Sequence, residues 1–305
     1  MDTLKKTIPS TRHLVSLAGH DFDLPERFEY HLKDRHYILK FHFRRFQGEA
    51  PKKGDRRFRI GDQVHPVKLD RKGIRAEVFK MGEQAEPTSQ SDVYEVHGMI
   101  DLEYFPTDTK TLIINSPGYE SDLHGTDKNF LKIGRLLKKE KCGSLVMYQH
   151  TGLWNLLDNL SLALEAIASD LEDVIEFCSK SSYSIAKSIT PKLCLSGFSM
   201  GGGAAAVAGG KNNTVQKMLL IAPSPEKRAD LVIRWLSQYR GELYFVHGQM
   251  DGVIPLVYTK NFIQAAKKAR KIDLVTLKKC DHRFTGEKLQ KEFIDSYLRV
   301  FAADS

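Results

Sequence analysis

Residues 192–208 have the sequence KLCLSGFSMGGGAAAVA, in which a short apolar run leads directly into a run of glycine and alanine. The apolar residues at its beginning predict a buried strand. The small residues from Gly201 to Ala208 predict a helix that packs closely against a sheet. Ser199 stands at the turn between the two, so the stretch predicts a strand, a tight turn that carries a serine, and a helix.

A glycine lies two residues to either side of this serine, at Gly197 and Gly201. A serine in a tight strand-to-helix turn adopts a strained backbone conformation, and its neighbours two positions away must lack bulk. The pattern G-x-S-x-G is typical of a nucleophile elbow, which projects Ser199 Oγ out of the sheet and directs the first N–H groups of the helix toward a developing oxyanion. A glycine-rich turn produces the same pattern, so further residues must decide.

Two such residues follow along the chain. Residues 243–248, LYFVHG, predict a strand whose following loop carries Asp251, and residues 272–277, IDLVTL, predict another whose following loop carries His282. The order is therefore Ser, Asp, His, each after the end of a predicted strand. On these residues the sequence resembles the α/β-hydrolase superfamily, whose triad has this order and these positions. The resemblance extends from about Tyr94 to the C-terminus.

This resemblance implies an α/β fold with a mostly parallel, doubly wound sheet. Only about 17 residues separate Pro223 from Gly241, which leaves no room for the large lid found there in many lipases. The catalytic assignment that it implies is Ser199 as nucleophile, His282 as base and Asp251 as the residue that orients and stabilises the imidazolium.

Three other residues compete for roles near this triad. Asp230 is the alternative acid, because it lies in the predicted helix after the strand at residues 217–223. Asp281 directly precedes His282 and is expected to form hydrogen bonds within its own loop. His247 ends its predicted strand and is expected to be structural.

A glycine-bearing loop, Ser116-Pro117-Gly118-Tyr119, follows the predicted strand at residues 110–115. Many members of the superfamily have a His-Gly-aromatic sequence here, and Pro117 stands in the place of that histidine. The resemblance assigns the two oxyanion donors to the backbone N–H groups of Met200 and Tyr119. A simple turn between strand and helix is the alternative interpretation.

Gly118 in this loop, and His150 and Trp154 after the strand at residues 144–148, are the candidates to line a substrate pocket. A surface histidine and a packing tryptophan are the alternatives for the last two. The sequence has neither a metal-ligand cluster nor a phosphate-binding glycine loop, so neither a metal nor a cofactor is expected.

Residues 1–92 do not share this alternation of strands and helices. Residues 36–46 alternate apolar and polar side chains, and residues 57–60, 64–69 and 74–79 predict further short strands between glycine turns. We expect a β-rich N-terminal region, as a small module or as extra strands on the edge of the main sheet, and a catalytic domain over residues 93–305.

The N-terminal region also carries the positive charge. From Lys33 to Arg75 there are 14 Lys and Arg against 5 Asp and Glu, a surplus of nine that is comparable with the net charge of +8 for the whole chain. Aromatic residues interleaved with arginine would suit a nucleic acid or a phosphate-bearing acyl carrier. A solvated basic face is preferred, and nucleic acid is not expected as a partner, because no DNA- or RNA-binding motif accompanies the charge.

No apolar run is long enough to span a bilayer, and the first residues lack the pattern of a secretion signal. The four cysteines have no C-x-x-C spacing. These features predict a cytoplasmic protein with reduced thiols, and no motif indicates an oligomeric state.

The sequence thus predicts a serine hydrolase that cleaves a small-molecule carboxylic ester or thioester through an acyl-enzyme. Two alternatives stay open. One is an acyltransferase with the same triad, and the other is a non-catalytic binding protein that retains the fold and works through its basic N-terminal region.

Overall fold

The computed structural model describes residues 102–119, 121–150, 163–175 and 192–302 in full, the backbone of one helix as far as residue 180 together with Cys178, and the backbone of the strands that precede residue 102. In the first part of the chain the structure describes these strands: β1 Lys6–Ile8, β2 Leu14–Leu17, β3 His20–Asp23, β4 Phe28–Lys33, β5 His36–Glu49, β6 Arg57–Ile60, β7 Gln63–Pro66, β8 Ala76–Lys80 and β9 Val93–Phe105.

From β9 onward, strands and helices alternate. The elements are β10 Thr111–Ser116, α1 Asn129–Glu140, β11 Ser144–Gln149, α2 Ala163–Lys180, β12 Lys192–Phe198, α3 Met200–Lys211, β13 Val215–Ile221, α4 Ala229–Leu236, β14 Glu242–Gly248, α5 Leu256–Ala265, β15 Lys271–Leu277 and α6 Glu287–Ala302. A short 3₁₀ turn, Thr126–Lys128, precedes α1. Two parallel strands need a connection that brings the chain back to the end at which the first strand began. In this part of the chain, helices form most of these connections.

The strands of this part are ordered β9-β11-β10-β12-β13-β14-β15. From β10 to β15 all neighbours are parallel, and β9 is antiparallel to β11. The predicted mostly parallel, doubly wound α/β sheet is confirmed. Parallel pairing brings the C-terminal ends of β10, β12, β14 and β15 to the same edge of the sheet, where ligands bind in open sheets of this kind.

The N-terminal strands continue the sheet beyond β9. β5 and β8 both pair with β9, β4 pairs with β5, and β1 pairs with β4, all antiparallel. Two further hairpins, β2-β3 and β6-β7, form separate two-stranded sheets. The region is thus a β-rich extension that adds strands to the edge of the main sheet, while a domain boundary at residue 92 stays a prediction.

The core has one layer on each face of the sheet. Leu112 and Ile114 of β10 lie in a cluster with α2, α3, α4 and α5, whereas Ile113 between them lies in a cluster with α1 and α6. Both faces of the strands are therefore buried, which explains why these strands have continuous apolar sequences rather than alternating ones. All four cysteines are free and buried.

Among the residues that the structure describes, no helix combines the length and the apolar character that crossing a membrane requires.

The buried residues 200–209 of helix α3 are almost all glycine and alanine, so the helix presents few large side chains to the elements packed around it. A methyl group added at Gly203 would overlap the carbonyl oxygen of Ser224 and would lie 3.0 Å from Leu164 Cδ1. The backbone oxygen cannot move without displacing the loop after β13. The close contact thus depends on the absence of a side chain at this position.

We expect Gly203→Ala to lower the free energy of unfolding by about 1–3 kcal/mol, since overpacking a dense interior forces backbone shifts. Urea denaturation measures this change. Gly252→Ala is the matched control: an added methyl group there contacts nothing within 4 Å, and we expect a change within about 0.5 kcal/mol. Equal stability of the two variants would contradict the packing account.

Candidate active site

The turn between β12 and α3 holds Ser199 in a strained conformation, with φ +55° and ψ −121°. Its N–H donates to the carbonyl of Ile221 at 2.8 Å, and its own carbonyl accepts from the N–H groups of Gly202, Gly203 and Ser224 at 2.9, 3.1 and 2.8 Å. A positive φ at a serine persists only where surrounding bonds over-determine it. Four backbone hydrogen bonds supply that constraint here.

The glycines on either side of the serine are required by contact distance. A methyl group at Gly197 would overlap the carbonyl of Gly201, and one at Gly201 would overlap the carbonyls of Pro117 and Ser116. At Gly201 the elbow and the segment at residues 116–117 therefore touch through backbone atoms.

The structure brings Ser199, His282 and Asp251 together, as their positions at strand ends predict. His282 Nε2 lies 3.1 Å from Ser199 Oγ, and His282 Nδ1 lies 2.7 Å from Asp251 Oδ2. All three residues are buried, with 8 or 9% of their surface exposed. The Met250 N–H donates a hydrogen bond of 2.8 Å to the Cys280 carbonyl, which joins the loop of Asp251 to the loop of His282.

The carboxylate of Asp251 is fixed at both oxygens. Oδ1 accepts from the N–H groups of Val253 and Ile254 at 2.9 and 2.8 Å, while Oδ2 faces His282 and lies 3.4 Å from His247 Nε2. Burial alone would raise the pKa of Asp251, but the hydrogen bonds from His247, His282 and Ile254 outweigh it and hold the pKa well below the usual range of a carboxyl. The Asp251 side chain is therefore ionised at neutral pH.

His247 is buried beside this carboxylate, and the sequence did not indicate the contact. Its Nδ1 lies 2.9 Å from Thr259 Oγ1, and its Nε2 lies 2.9 Å from the Ile254 carbonyl. The signal that could have revealed the contact is its spacing, four residues before Asp251 at the end of the same strand.

The competing aspartates lie elsewhere. Asp281 Oδ1 accepts from Thr285 N–H at 2.8 Å, the hydrogen bond within its own loop that the sequence predicts. The side chain of Asp230 is 72% exposed and pairs with Arg228 on the surface, so it is not in contact with His282.

Of the two predicted oxyanion donors, one lies in the elbow itself and the other in the loop after β10. Met200 is the first residue of α3, where an N–H group has no carbonyl of its own helix to bind. Tyr119 belongs to the loop after β10, in which Gly118 accepts a hydrogen bond from Ser121 N–H at 3.2 Å. Tyr119 and Ser199 line the same cleft.

This cleft opens above Ser199 and has a volume of about 540 Å³. The Phe198 ring lies 4.9 Å from the His282 ring, and Val253 is 65% exposed at the rim. The lining combines apolar and polar residues: Tyr119, Ser121, Asp122, Gly125, Thr126, Phe198, Ser199, Val253, His282 and Arg283. Such a lining suits a small substrate with both apolar and polar parts.

The predicted substrate-binding residues fit the cleft less well. Gly118 is buried against Phe198, whose Cδ1 would lie 3.0 Å from an added Cβ. His150 does not line this cleft: it is only 2% exposed and contacts the Pro117 carbonyl behind the loop. The prediction of a pocket role for His150 is corrected, because the loop after β10 covers the residue. Trp154 lies outside the described residues.

Within the fully described residues, no group of three or more His, Cys, Asp or Glu side chains is arranged to hold a metal ion.

No family model matches this sequence, and no curated protein matches it. Solved structures do match. Est1E from Butyrivibrio proteoclasticus aligns over 67% of this chain and 95% of its own, with a TM-score of 0.51 and 11% identity. Esterase Pf2001 from Pyrococcus furiosus aligns over 66% and 85%, with a TM-score of 0.53 and 12% identity. The dienelactone hydrolase from Anabaena variabilis aligns over 75% and 99%, with a TM-score of 0.50 and 15% identity.

Identities this low establish a common fold and nothing finer. The strand order, the position of the elbow and these structural matches agree, and the resemblance inferred from the sequence is confirmed at that level: the protein has the α/β-hydrolase fold.

Proposed function

We propose that the protein is a serine hydrolase that cleaves a small-molecule carboxylic ester or thioester in the cytoplasm through an acyl-enzyme. The proposal rests on the hydrogen-bond chain that links Ser199, His282 and Asp251. Ser199 Oγ lies 3.1 Å from His282 Nε2, and His282 Nδ1 lies 2.7 Å from Asp251 Oδ2. This hydrogen-bond chain ends at a cleft large enough for a substrate.

In the first half of the reaction, Ser199 Oγ attacks the carbonyl carbon while His282 Nε2 takes the hydroxyl proton. The carbonyl oxygen becomes an oxyanion, which the N–H groups of Met200 and Tyr119 stabilise. The bond to the leaving group then breaks, and His282 returns its proton to the departing alcohol or thiol. The acyl group stays on Ser199.

In the second half, water takes the place of the alcohol or thiol. His282 removes a proton from the water as its oxygen attacks the acyl carbon, and the proton passes to Ser199 Oγ when the acyl-enzyme bond breaks. The carboxylic acid leaves and the serine is restored. No group beyond the chain's own side chains and water enters this balance.

Asp251 contributes its negative charge and its geometry. Its contact with Nδ1 leaves Nε2 as the nitrogen that faces the serine, and the buried carboxylate stabilises the imidazolium formed in each half-reaction. The Val253 and Ile254 N–H groups hold the carboxylate in place. His247, on the other side of Oδ2, supports the same orientation.

The cleft supports a substrate with a small or medium acyl part. Phe198, Tyr119 and Val253 line the cleft near the serine with apolar groups, and Arg283 adds a positive charge to the lining. Est1E and the other similar structures support the fold alone, although one of them carries the name esterase.

We expect a fluorophosphonate probe to label the wild type on Ser199 and to leave Ser199→Ala unlabelled, because only the serine activated by His282 attacks the phosphorus. The turnover of p-nitrophenyl acetate should fall by at least about 10³-fold in the variant. Ser121→Ala is the matched control, since it removes a second hydroxyl from the same cleft, and it should be labelled like the wild type. Labelling of Ser199→Ala at the wild-type rate would contradict the assignment of the nucleophile.

A panel of esters and acyl-coenzyme A thioesters of graded length then tests the reaction class. Free carboxylic acid as the product supports hydrolysis. Formation of a new ester or amide in preference to the acid, when an alcohol or amine acceptor is added, would make the protein an acyltransferase. A correctly folded protein with neither labelling nor turnover would leave the non-catalytic alternative.

The depressed pKa of Asp251 also predicts how stability depends on pH. The unfolded chain has an aspartate pKa of about 3.9, and the folded pKa lies below it. Such a carboxylate stabilises the fold fully above the unfolded pKa, and this contribution is lost as the pH falls through the folded pKa. We expect the wild type to exceed Asp251→Asn in unfolding free energy by about 1–2 kcal/mol near pH 7.

That difference should shrink as the pH falls below about 4, where aspartate in the unfolded chain becomes protonated. Urea denaturation between pH 3 and pH 7 measures it. Asp295→Asn, on the exposed surface of α6, is the control and should change stability by less than about 0.5 kcal/mol throughout. A difference for Asp251→Asn that stays constant or widens toward pH 3 would count against the buried ionised carboxylate.

A further inference from the structure

A second pair of aspartate and histidine lies outside the proposed catalytic triad. His150 follows the end of β11, and its side chain is completely buried. Its Nε2 lies 3.1 Å from the carbonyl oxygen of Pro117, and its ring packs edge-to-face on Tyr148 with the centroids 5.0 Å apart. A carbonyl oxygen can only accept, so Nε2 donates in this contact. The mechanism proposed above gives the residue no role.

Asp170 of α2 lies on the other side of the His150 ring. Its Oδ2 is 3.4 Å from His150 Nδ1, and its side chain is only 2% exposed. A carboxylate is costly to bury unless charged or hydrogen-bonding groups surround it. Both partners are acceptors, so the two contacts hold the ring in one orientation when Nδ1 and Nε2 each carry a hydrogen and the imidazolium forms an ion pair with the Asp170 carboxylate.

The carbonyl that His150 binds belongs to the loop that carries the proposed oxyanion donor Tyr119. Because a peptide unit is planar and trans, the Pro117 carbonyl fixes the plane that it shares with Gly118 N–H. The next plane contains the Gly118 carbonyl and Tyr119 N–H, and Ser121 N–H binds that carbonyl at 3.2 Å. Two successive hydrogen bonds therefore determine the direction of the Tyr119 N–H group.

The same carbonyl touches the elbow from the opposite side. A methyl group at Gly201 would overlap the carbonyls of Pro117 and Ser116, so the loop lies directly against the first turn of α3. Two neighbours of His150 add further contacts, with Tyr148 OH 2.9 Å from Ser116 Oγ and Gln149 Nε2 donating to the Ser121 carbonyl at 3.1 Å. Three consecutive residues at the end of β11 thus hold the loop in place.

We propose that His150 is a positioning residue, held in orientation by Asp170, that fixes the loop after β10 so that Tyr119 N–H is aligned to stabilise the oxyanion. This inference rests on the proposed function, since it assigns the residue a task in the same reaction. The action is indirect: His150 touches the backbone that carries the donor, and the reacting atoms lie on the far side of the loop.

His150→Gln and His150→Asn form the pair of variants that tests this role. The glutamine amide nitrogen can occupy the place of Nε2 and donate to Pro117, whereas the asparagine amide nitrogen lies near the place of Nδ1 and reaches only Asp170. We expect His150→Asn to lower kcat for p-nitrophenyl acetate by about 10- to 100-fold, because a misplaced donor loses most of its effect. KM should change by less than about threefold.

An alkyl trifluoromethyl ketone measures the oxyanion site directly, since its adduct with Ser199 carries the same charge at the same oxygen. Its inhibition constant should rise in His150→Asn by about the factor by which kcat falls, and both quantities should stay within about fivefold of wild type in His150→Gln. Asp170→Asn, which leaves His150 in place, should shift both in the same direction by a smaller factor.

A core variant far from the loop separates a positioning role from a purely structural one. Leu137→Ala in α1 removes a fully buried side chain from the opposite layer, so it lowers the melting temperature while kcat and the inhibition constant of the folded protein remain at wild-type values. A wild-type inhibition constant in His150→Asn, or equal losses in His150→Asn and His150→Gln, would overturn the proposal.

The experiments distinguish a failure of this inference from a failure of the proposed function. If the function is wrong, the wild type itself neither reacts with fluorophosphonate at Ser199 nor hydrolyses the ester. If only the positioning role is wrong, the wild type is labelled and active, and His150→Asn matches it in kcat and in the affinity for the ketone. Should His150→Asn not fold, Asp170→Asn compared with wild type gives the same decision.

Discussion

The backbone of Ser199 is the constraint on which the site depends. A serine with positive φ costs on the order of 1–3 kcal/mol and must be held in place by its surroundings. The hydrogen bonds that hold it come from β13, from the loop after β13 and from the first turn of α3. Gly197 allows the close approach of the first turn of α3, and Gly203 allows that of the loop after β13. The geometry of the proposed nucleophile is thus set by the packing of α3 on the sheet.

Two aspartate–histidine pairs have separate proposed roles near this serine. In the proposed mechanism, Asp251 and His282 act on its proton, and the contact between them is tight at 2.7 Å. Asp170 and His150 act on the backbone, in a looser pair at 3.4 Å whose outer nitrogen binds the Pro117 carbonyl. The first pair must move a proton and therefore faces a cleft. The second pair holds a loop in place. Its complete burial favours this role, because no water competes for the hydrogen bond to the Pro117 carbonyl.

The proposed triad could be found from the sequence because each member follows a strand with a strong apolar pattern, and parallel strands end at one edge. His150 could not be interpreted in the same way. The sequence shows that it follows β11. A histidine in that position can lie on the surface, line a pocket or be buried against another loop, and the sequence does not distinguish the three. Its interpretation as a candidate pocket residue is wrong, because the Pro117 carbonyl of the loop after β10 lies over it. The contact between His247 and Asp251 was likewise not predicted, because the position of a histidine at the end of a strand does not show which carboxylate lies beside it.

Local chemistry along the chain determined the order of strands and helices, the parallel sheet buried on both faces and the strained turn at Ser199. These follow from periodicity and from sterics between residues only a few positions apart. The tertiary structure alone decided that Asp170, twenty residues after His150, reaches its ring, and that His150 in turn reaches Pro117. Such contacts depend on how α2 and the loop after β10 pack on the sheet, and packing distances between separate elements are not encoded in any single stretch of sequence.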